Sequence, residues 1–147
     1  MKISTKGRYG LRAMVDLAVN STGDYVALNS IAERQDVSEN YMEQVFSMLR
    51  KAGLVKSIKG AQGGYILSDN PANIKVGTIL RVLEGDLFIA DDESRNPAVS
   101  SIQNLLKRNV WDRINESINN VVDSITLEDL ANDYRKMNDG YSMMFYI

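Results

Sequence analysis

Residues 37–68, VSENYMEQVFSMLRKAGLVKSIKGAQGGYILS, encode one helix followed at once by a glycine-tipped β-hairpin. Met42, Val45, Phe46 and Leu49 recur at helical spacing and define a buried stripe. Asn40, Glu43, Gln44 and Ser47 lie on or beside the opposite face, a run of short or planar hydrogen-bonding side chains. Ser38 suits the N-cap, Glu39 and Glu43 place negative charge in the first turns, and Arg50 and Lys51 place positive charge in the last. Gly53 stops the helix at the C′ position. Residues 54–59 and 65–68 then read as two strands joined by Gly60-Ala61-Gln62-Gly63-Gly64. A polar-faced helix beside a hairpin with a basic, glycine-rich tip is the pattern of a winged helix-turn-helix on DNA.

Upstream, a first helix is expected over roughly 5–20, capped by Ser4 or Thr5, with Leu11, Met14, Val15, Ala18 and Val19 on its apolar face. Lys6, Arg8 and Arg12 give it a basic start, which opposes the helix dipole at a cost of up to about 1 kcal/mol. An external anion such as DNA phosphate explains that placement better than helix stability does; solvated surface charge is the alternative. Residues 21–24 form a loop, 25–27 a short strand able to pair with the wing, and Asn29 or Ser30 starts a short helix with Ile31 inward. Residues 36–38 turn into the polar-faced helix, which completes helix-turn-helix spacing.

The 147 residues contain no cysteine and no histidine. That excludes disulfides, thiolate and imidazole metal sites and every catalytic scheme that needs either side chain. No metal and no cofactor are expected. Catalysis has no constellation to use: Asp91-Asp92 and Glu128-Asp129 lack a partner nucleophile, and GAQGG lacks the Lys-Ser/Thr of a phosphate loop. No apolar run is long enough for a membrane span and the first residues carry no apolar signal core, so a cytoplasmic protein is expected. The net charge of −2 is unevenly spread: residues 1–67 carry nine Lys/Arg against six Asp/Glu, whereas 68–147 carry eight against thirteen. An electropositive first half suits phosphate contact.

Beyond the wing, residues 74–84 read as an amphipathic helix ending at Gly85, and 86–97 as an acidic loop. From 98 to 125, apolar residues keep a three-to-four spacing that includes Ile102, Leu106, Val110, Ile114, Ile118, Val121 and Ile125. A helix of that length is about 40 Å long, more than a domain of this size needs over its own core. Burial against a second copy is the reading preferred to an internal core helix. Thr126 caps a last helix running to about Lys136, followed by an apolar tail. The expected fold is mainly α: a winged helix-turn-helix domain over 1–85, a loop over 86–97, and a dimerisation helix with C-terminal tail over 98–147.

With these elements placed, the chain resembles the bacterial winged-helix regulators that include the cysteine-metabolism repressor CymR and the iron–sulfur regulator IscR. The resemblance rests on KISTKGRYG at 2–10, SENYMEQ at 38–44, AGLVKSIKG at 52–60 and GGY at 63–65, and continues in VLEG at 82–85, ITLEDL at 125–130 and MFYI at 144–147. It implies a homodimer on double-stranded DNA, with recognition helices in adjacent major grooves and wings toward the minor grooves. Glu43 would accept from a cytosine amino group, and Gln44 and Asn40 would offer amide edges to bases. Lys59 and Gln62 would reach the minor groove or phosphates, with Gly60, Gly63 and Gly64 letting the backbone approach. Ser4, Thr5, Lys6, Arg8 and Tyr9 would clamp phosphates. Ser38, Ser47, Arg50 and Lys51 complete the expected DNA-contacting set, together with Tyr41, for which core packing is an equal reading, as it is for Tyr65. Iron–sulfur members carry cysteine ligands where this chain has DLFIADDESRNP, so no cluster is expected. The resemblance then points to the CymR-like branch, which represses sulfur and cysteine-uptake genes and signals through O-acetylserine sulfhydrylase. Phe145, Tyr146 and Ile147 are the expected partner contacts, with Ile147 imitating the C-terminal isoleucine that serine acetyltransferases insert into that enzyme. Packing of the tail on the dimer itself is the other reading.

Overall fold

The computed structural model describes residues 2–89 and 97–145, with 97–99 and 140–145 as backbone. Seven α-helices and one hairpin follow in order among these residues: α1 (Thr5–Asn20), α2 (Leu28–Gln35), α3 (Glu39–Lys51), β1 (Val55–Ile58), β2 (Gly64–Leu67), α4 (Val76–Glu84), α5 (Pro97–Leu106), α6 (Asp112–Ser124) and α7 (Leu127–Phe145). The strands pair antiparallel from Val55 opposite Leu67 to Ile58 opposite Gly64. The chain is thus mainly α with a two-stranded wing.

One core explains the first half. Ala13, Met14 and Leu17 of α1, Ile31 of α2, and Met42, Val45, Phe46 and Leu49 of α3 are buried together with Ile79 of α4 and Leu127 of α7. Each fully buried Leu, Met or Phe contributes roughly 1.5–3 kcal/mol, so the core fixes the angle between α2 and α3. The turn between them is tight. Asp36 adopts a left-handed conformation (φ 55°), and Val37 N–H donates to the Ala32 carbonyl at 3.0 Å.

The caps follow the residues. Ser38 Oγ accepts from Tyr41 N at 3.2 Å, and Gly53 takes φ 82° after α3. Thr126 and Asp129 form a reciprocal capping box at the start of α7: Asp129 N donates to Thr126 Oγ1 at 3.1 Å and Thr126 N donates to Asp129 Oδ2 at 3.0 Å.

Several boundaries differ from expectation. α2 begins at Leu28, not at Asn29 or Ser30, because the Ala27 carbonyl already accepts from Ser30 N. α4 begins at Val76, not 74, because Ile74 and Lys75 stay extended: Val76 N donates to the Ile125 carbonyl at 2.9 Å and Leu127 N to the Ile74 carbonyl at 2.8 Å. The long helical run from 97 to 124 is continuous, but its middle, Lys107–Trp111, is π-helical. α7 runs nine residues past the expected end at Lys136, since no proline stops it and a lone glycine, Gly140, costs only about 1 kcal/mol in a helix. Most of the presumed tail is therefore helix. Tyr146, Ile147 and the Phe145 side chain lie outside the described residues, as does most of the acidic loop (90–96).

Candidate nucleic-acid interface

α3 is positioned by its inner face. Met42, Val45, Phe46 and Leu49 are fully buried, which leaves Asn40, Glu43 and Gln44 exposed and Ser47 half-buried. Arg50 and Lys51 are exposed in its last turn. At the hairpin tip Lys59, Gly60 and Gln62 are exposed, and Tyr65 anchors the hairpin to α3 by stacking obliquely on Phe46 with centroids 4.7 Å apart. Tyr65 is thus a packing residue.

The first turns of α1 and α3 lie side by side. The Tyr9 and Tyr41 rings meet edge to face at 6.1 Å, both half-buried. Arg12 stacks over Tyr9 at 4.6 Å and donates to the Gln35 carbonyl at 2.6 Å. Lys2, Thr5 and Arg8 are exposed around this corner, with Lys6 and Tyr9 half-buried. The structure therefore joins the start of α1 to α3 through Tyr9 and Tyr41, and the hairpin to α3 through Phe46 and Tyr65.

The wing glycines divide by cause. Gly60, at φ 113°, has open space around its missing Cβ and is required by its backbone angle. Gly63 and Gly64 have a reason internal to the chain as well. A Cβ on Gly63 would collide with the Ile58 carbonyl of the same hairpin, and one on Gly64 with the Val26 carbonyl. Val26 is the expected strand before α2, reduced to a single bridge: Val26 and Tyr65 exchange two backbone hydrogen bonds of 2.8 Å. Ser38 spends its hydroxyl as a cap, and so does Ser4, which accepts from Gly7 N at 3.2 Å.

Four residues escaped the sequence reading. Asp16, set between Val15 and Leu17 on the apolar face of α1, accepts from Arg34 (2.8 and 2.9 Å) and from Gln35 Nε2 (2.8 Å), which ties α1 to the end of α2. A lone acid inside an apolar run was the available signal for it. Hydrogen bonding to Asp16 raises the Arg34 pKa above its ordinary value. The fourth is Glu84 at the end of α4, which accepts from Ser4 N at 2.8 Å and from Ser4 Oγ. Nothing in the pattern around Glu84 announces it.

The expected dimer stripe splits in two. Ile118 and Ile125 pack, half-buried, against Val76, Leu80 and Leu87 of the same chain. Ile102 (61% exposed), Leu106, Ile114 and Val121 (58%) are exposed, and Val110 is half-buried. The long helix is held to α4 by Arg81, which donates to Asp123 (2.7 and 2.9 Å) and to Asn119 (2.5 Å). Asn119 in turn donates to the Leu87 carbonyl and Asn115 accepts from Ile89 N, which fixes the start of the acidic loop. Among the described residues no acidic grouping could hold a metal ion, and no helix is long and apolar enough to cross a membrane.

Comparison with known proteins gives this geometry its family. Residues 3–133 match the Rrf2 family profile, described as "Iron-dependent Transcriptional regulator". The chain is 47% identical over 148 aligned positions to the HTH-type transcriptional regulator CymR of Bacillus subtilis, covering all of both chains. It is 36% identical to the regulator IscR of Pectobacterium atrosepticum over 94% of this chain and 84% of that one. Among solved structures, B. subtilis CymR, titled the global cysteine regulator, aligns with a TM-score of 0.77 and 46% identity over 90% of this chain and 97% of that one. T. potens IscR aligns with a TM-score of 0.72 and 51% identity over 91% and 88%.

Proposed function

This chain belongs to the Rrf2 family of transcriptional regulators, and from that membership we propose that it is a cytoplasmic, dimeric repressor of cysteine and sulfur-metabolism genes. The family consists of DNA-binding regulators, not enzymes. The observation that carries the proposal is the outer face of α3: Asn40, Glu43 and Gln44 stand exposed on a helix whose first turns meet the basic start of α1 through Tyr9 and Tyr41 and whose inner face holds the hairpin through Phe46 and Tyr65. Base edges are read by the α3 side chains, whereas Thr5, Lys6, Arg8 and Lys59 set register through phosphates. The exposed residues Ile102, Leu106, Ile114 and Val121 form the dimer contact, and the two copies meet a two-fold operator. Full-length likeness to a global cysteine regulator supports the regulon. With no cysteine or histidine to ligate iron, the chain works without a cluster.

The signal enters through O-acetylserine sulfhydrylase, which Ile147 contacts with its free carboxylate. Binding to a cysteine-uptake promoter, with and without the sulfhydrylase and O-acetylserine, tests this. Tighter binding with the enzyme, reversed by O-acetylserine and lost on deleting Ile147, is the expected result; indifference to the enzyme overturns the partnership. One feature favours a second reading, direct sensing of a small molecule. A groove of about 810 Å³ lies between α1, α2 and α7, with Leu11, Val15 and Leu130 as its apolar floor and Arg12 and Arg34 on its wall. On that reading the purified protein alone responds to a metabolite.

A further inference from the structure

α1 begins with a conflict that another helix resolves. Its first turn contains no acid, yet carries Lys6 and Arg8 near the positive end of the helix dipole. The missing negative charge comes from Glu84, the last residue of α4, whose carboxylate accepts from Ser4 N at 2.8 Å and from Ser4 Oγ. The fit is close: a Cβ on Gly7 would collide with Glu84 Oε1, so glycine at this point lets the carboxylate seat against the turn. Thr5, Lys6 and Arg8 follow directly on the residue so held, and Arg8 Nη2 donates to Thr5 Oγ1 at 3.4 Å. The chain beyond Glu84 is held as well. Gly85 takes φ 85°, the Leu87 carbonyl accepts from Asn119, and Ile89 N donates to Asn115. Glu84 therefore sits between the phosphate-facing start of α1 and the segment bound to the long helix.

We propose that Glu84 is a positioning residue for DNA binding: it orders the Ser4–Arg8 turn for phosphate contact and links that turn to the 85–89 segment. The proposal rests on the DNA-binding reading above. It makes a prediction opposite in sign to simple electrostatics. Removing an acid beside a phosphate-contacting turn should tighten DNA binding if charge alone matters. Removing a positioning group should weaken it, because the turn must then be ordered at the moment of binding.

The test is the affinity of Glu84→Ala and Glu84→Gln for a cysteine-uptake promoter duplex over a salt series, with thermal melting and sizing of each variant. E84A is expected to bind about tenfold more weakly, the loss typical of a hydrogen bond to a charged group, with a salt slope shallower by about one. E84Q keeps the acceptor oxygen and gives up only the charge at the helix start, so it should bind more tightly than E84A and within a few-fold of the unaltered chain. E84A binding as well as or better than the unaltered chain overturns the proposal, as does an equal loss in both variants. If E84A melts early, Gly7→Ala takes its place, since its Cβ displaces the Glu84 carboxylate from the turn: weakened binding by a folded G7A supports the proposal, and full binding overturns it. Failure of the unaltered chain to bind overturns the underlying DNA-binding reading and this inference with it.

Discussion

Arg34 and Asp16 form a two-pronged ion pair in which the carboxylate is buried, its side chain 3% exposed, while the guanidinium remains open to water. The pair joins α1 to α2, the helix that precedes α3. Arg34→Ala leaves the buried carboxylate with only the amide donors of Gln35 and Asn20. A cost of about 2 kcal/mol is expected in urea unfolding, at the low end for a broken buried pair because Arg34 is half in water.

Gly64 is predicted to be the least replaceable wing residue. Gly64→Ala puts a Cβ into the Val26 carbonyl at a φ of 152°. It should cost about 2–3 kcal/mol and loosen the hairpin in amide hydrogen exchange. Gly60→Ala, strained only by its φ, should cost less.

The two halves of the long-helix stripe should respond differently. Ile118 packs on Val76 and Leu80 within its own chain, so Ile118→Ala is expected to lower stability by about 2 kcal/mol. Ile102 is exposed in the single chain, so on the dimer reading Ile102→Asp should shift the protein toward monomer in sedimentation while leaving the winged domain folded.

Acid should act through Asp123. Arg81 donates to it, and that hydrogen bond holds its carboxyl below the ordinary value near 4. A carboxylate with a depressed folded-state pKa contributes stability above its unfolded pKa and loses it as pH falls through the folded value. Below pH 4, Asp123→Asn should therefore flatten the pH dependence of melting; an unchanged acid limb would count against this pairing.

Within the DNA-binding reading, base and phosphate contacts separate by specificity. Glu43→Ala should relax discrimination at one operator position by about 1–3 kcal/mol. Lys59→Ala should weaken binding alike on all sequences and make the salt slope shallower by about one. Competition between operator and mutated duplexes checks both.

The α3 helix and the hairpin were legible because their signals are local: a cap, a buried stripe, a stopping glycine and a turn. Ser38, Met42, Val45, Phe46, Leu49 and Gly53 behave as the pattern of residues 37–68 requires. What was not legible depends on pairs distant in sequence. Glu84 is 80 positions from Ser4, and no local rule connects them. Gly64 reads from the sequence only as part of the wing turn, and the Val26 carbonyl that excludes a side chain there belongs to a distant segment. Ile118 and Ile125 share helical spacing with Ile102, and only the packing of α4 separates inner from outer members. The end of α7 lies beyond Lys136 because no proline follows there and the single Gly140 does not outweigh the turns on either side of it.

The most direct test of sequence-specific DNA binding is affinity of the purified protein for a cysteine-uptake promoter against a scrambled duplex of equal length, measured from low to physiological salt. The expected result is a dimer on the promoter, a steep loss of affinity with salt on both duplexes, and a preference for the promoter that survives at physiological salt. Equal affinity for both duplexes at every salt concentration would contradict it.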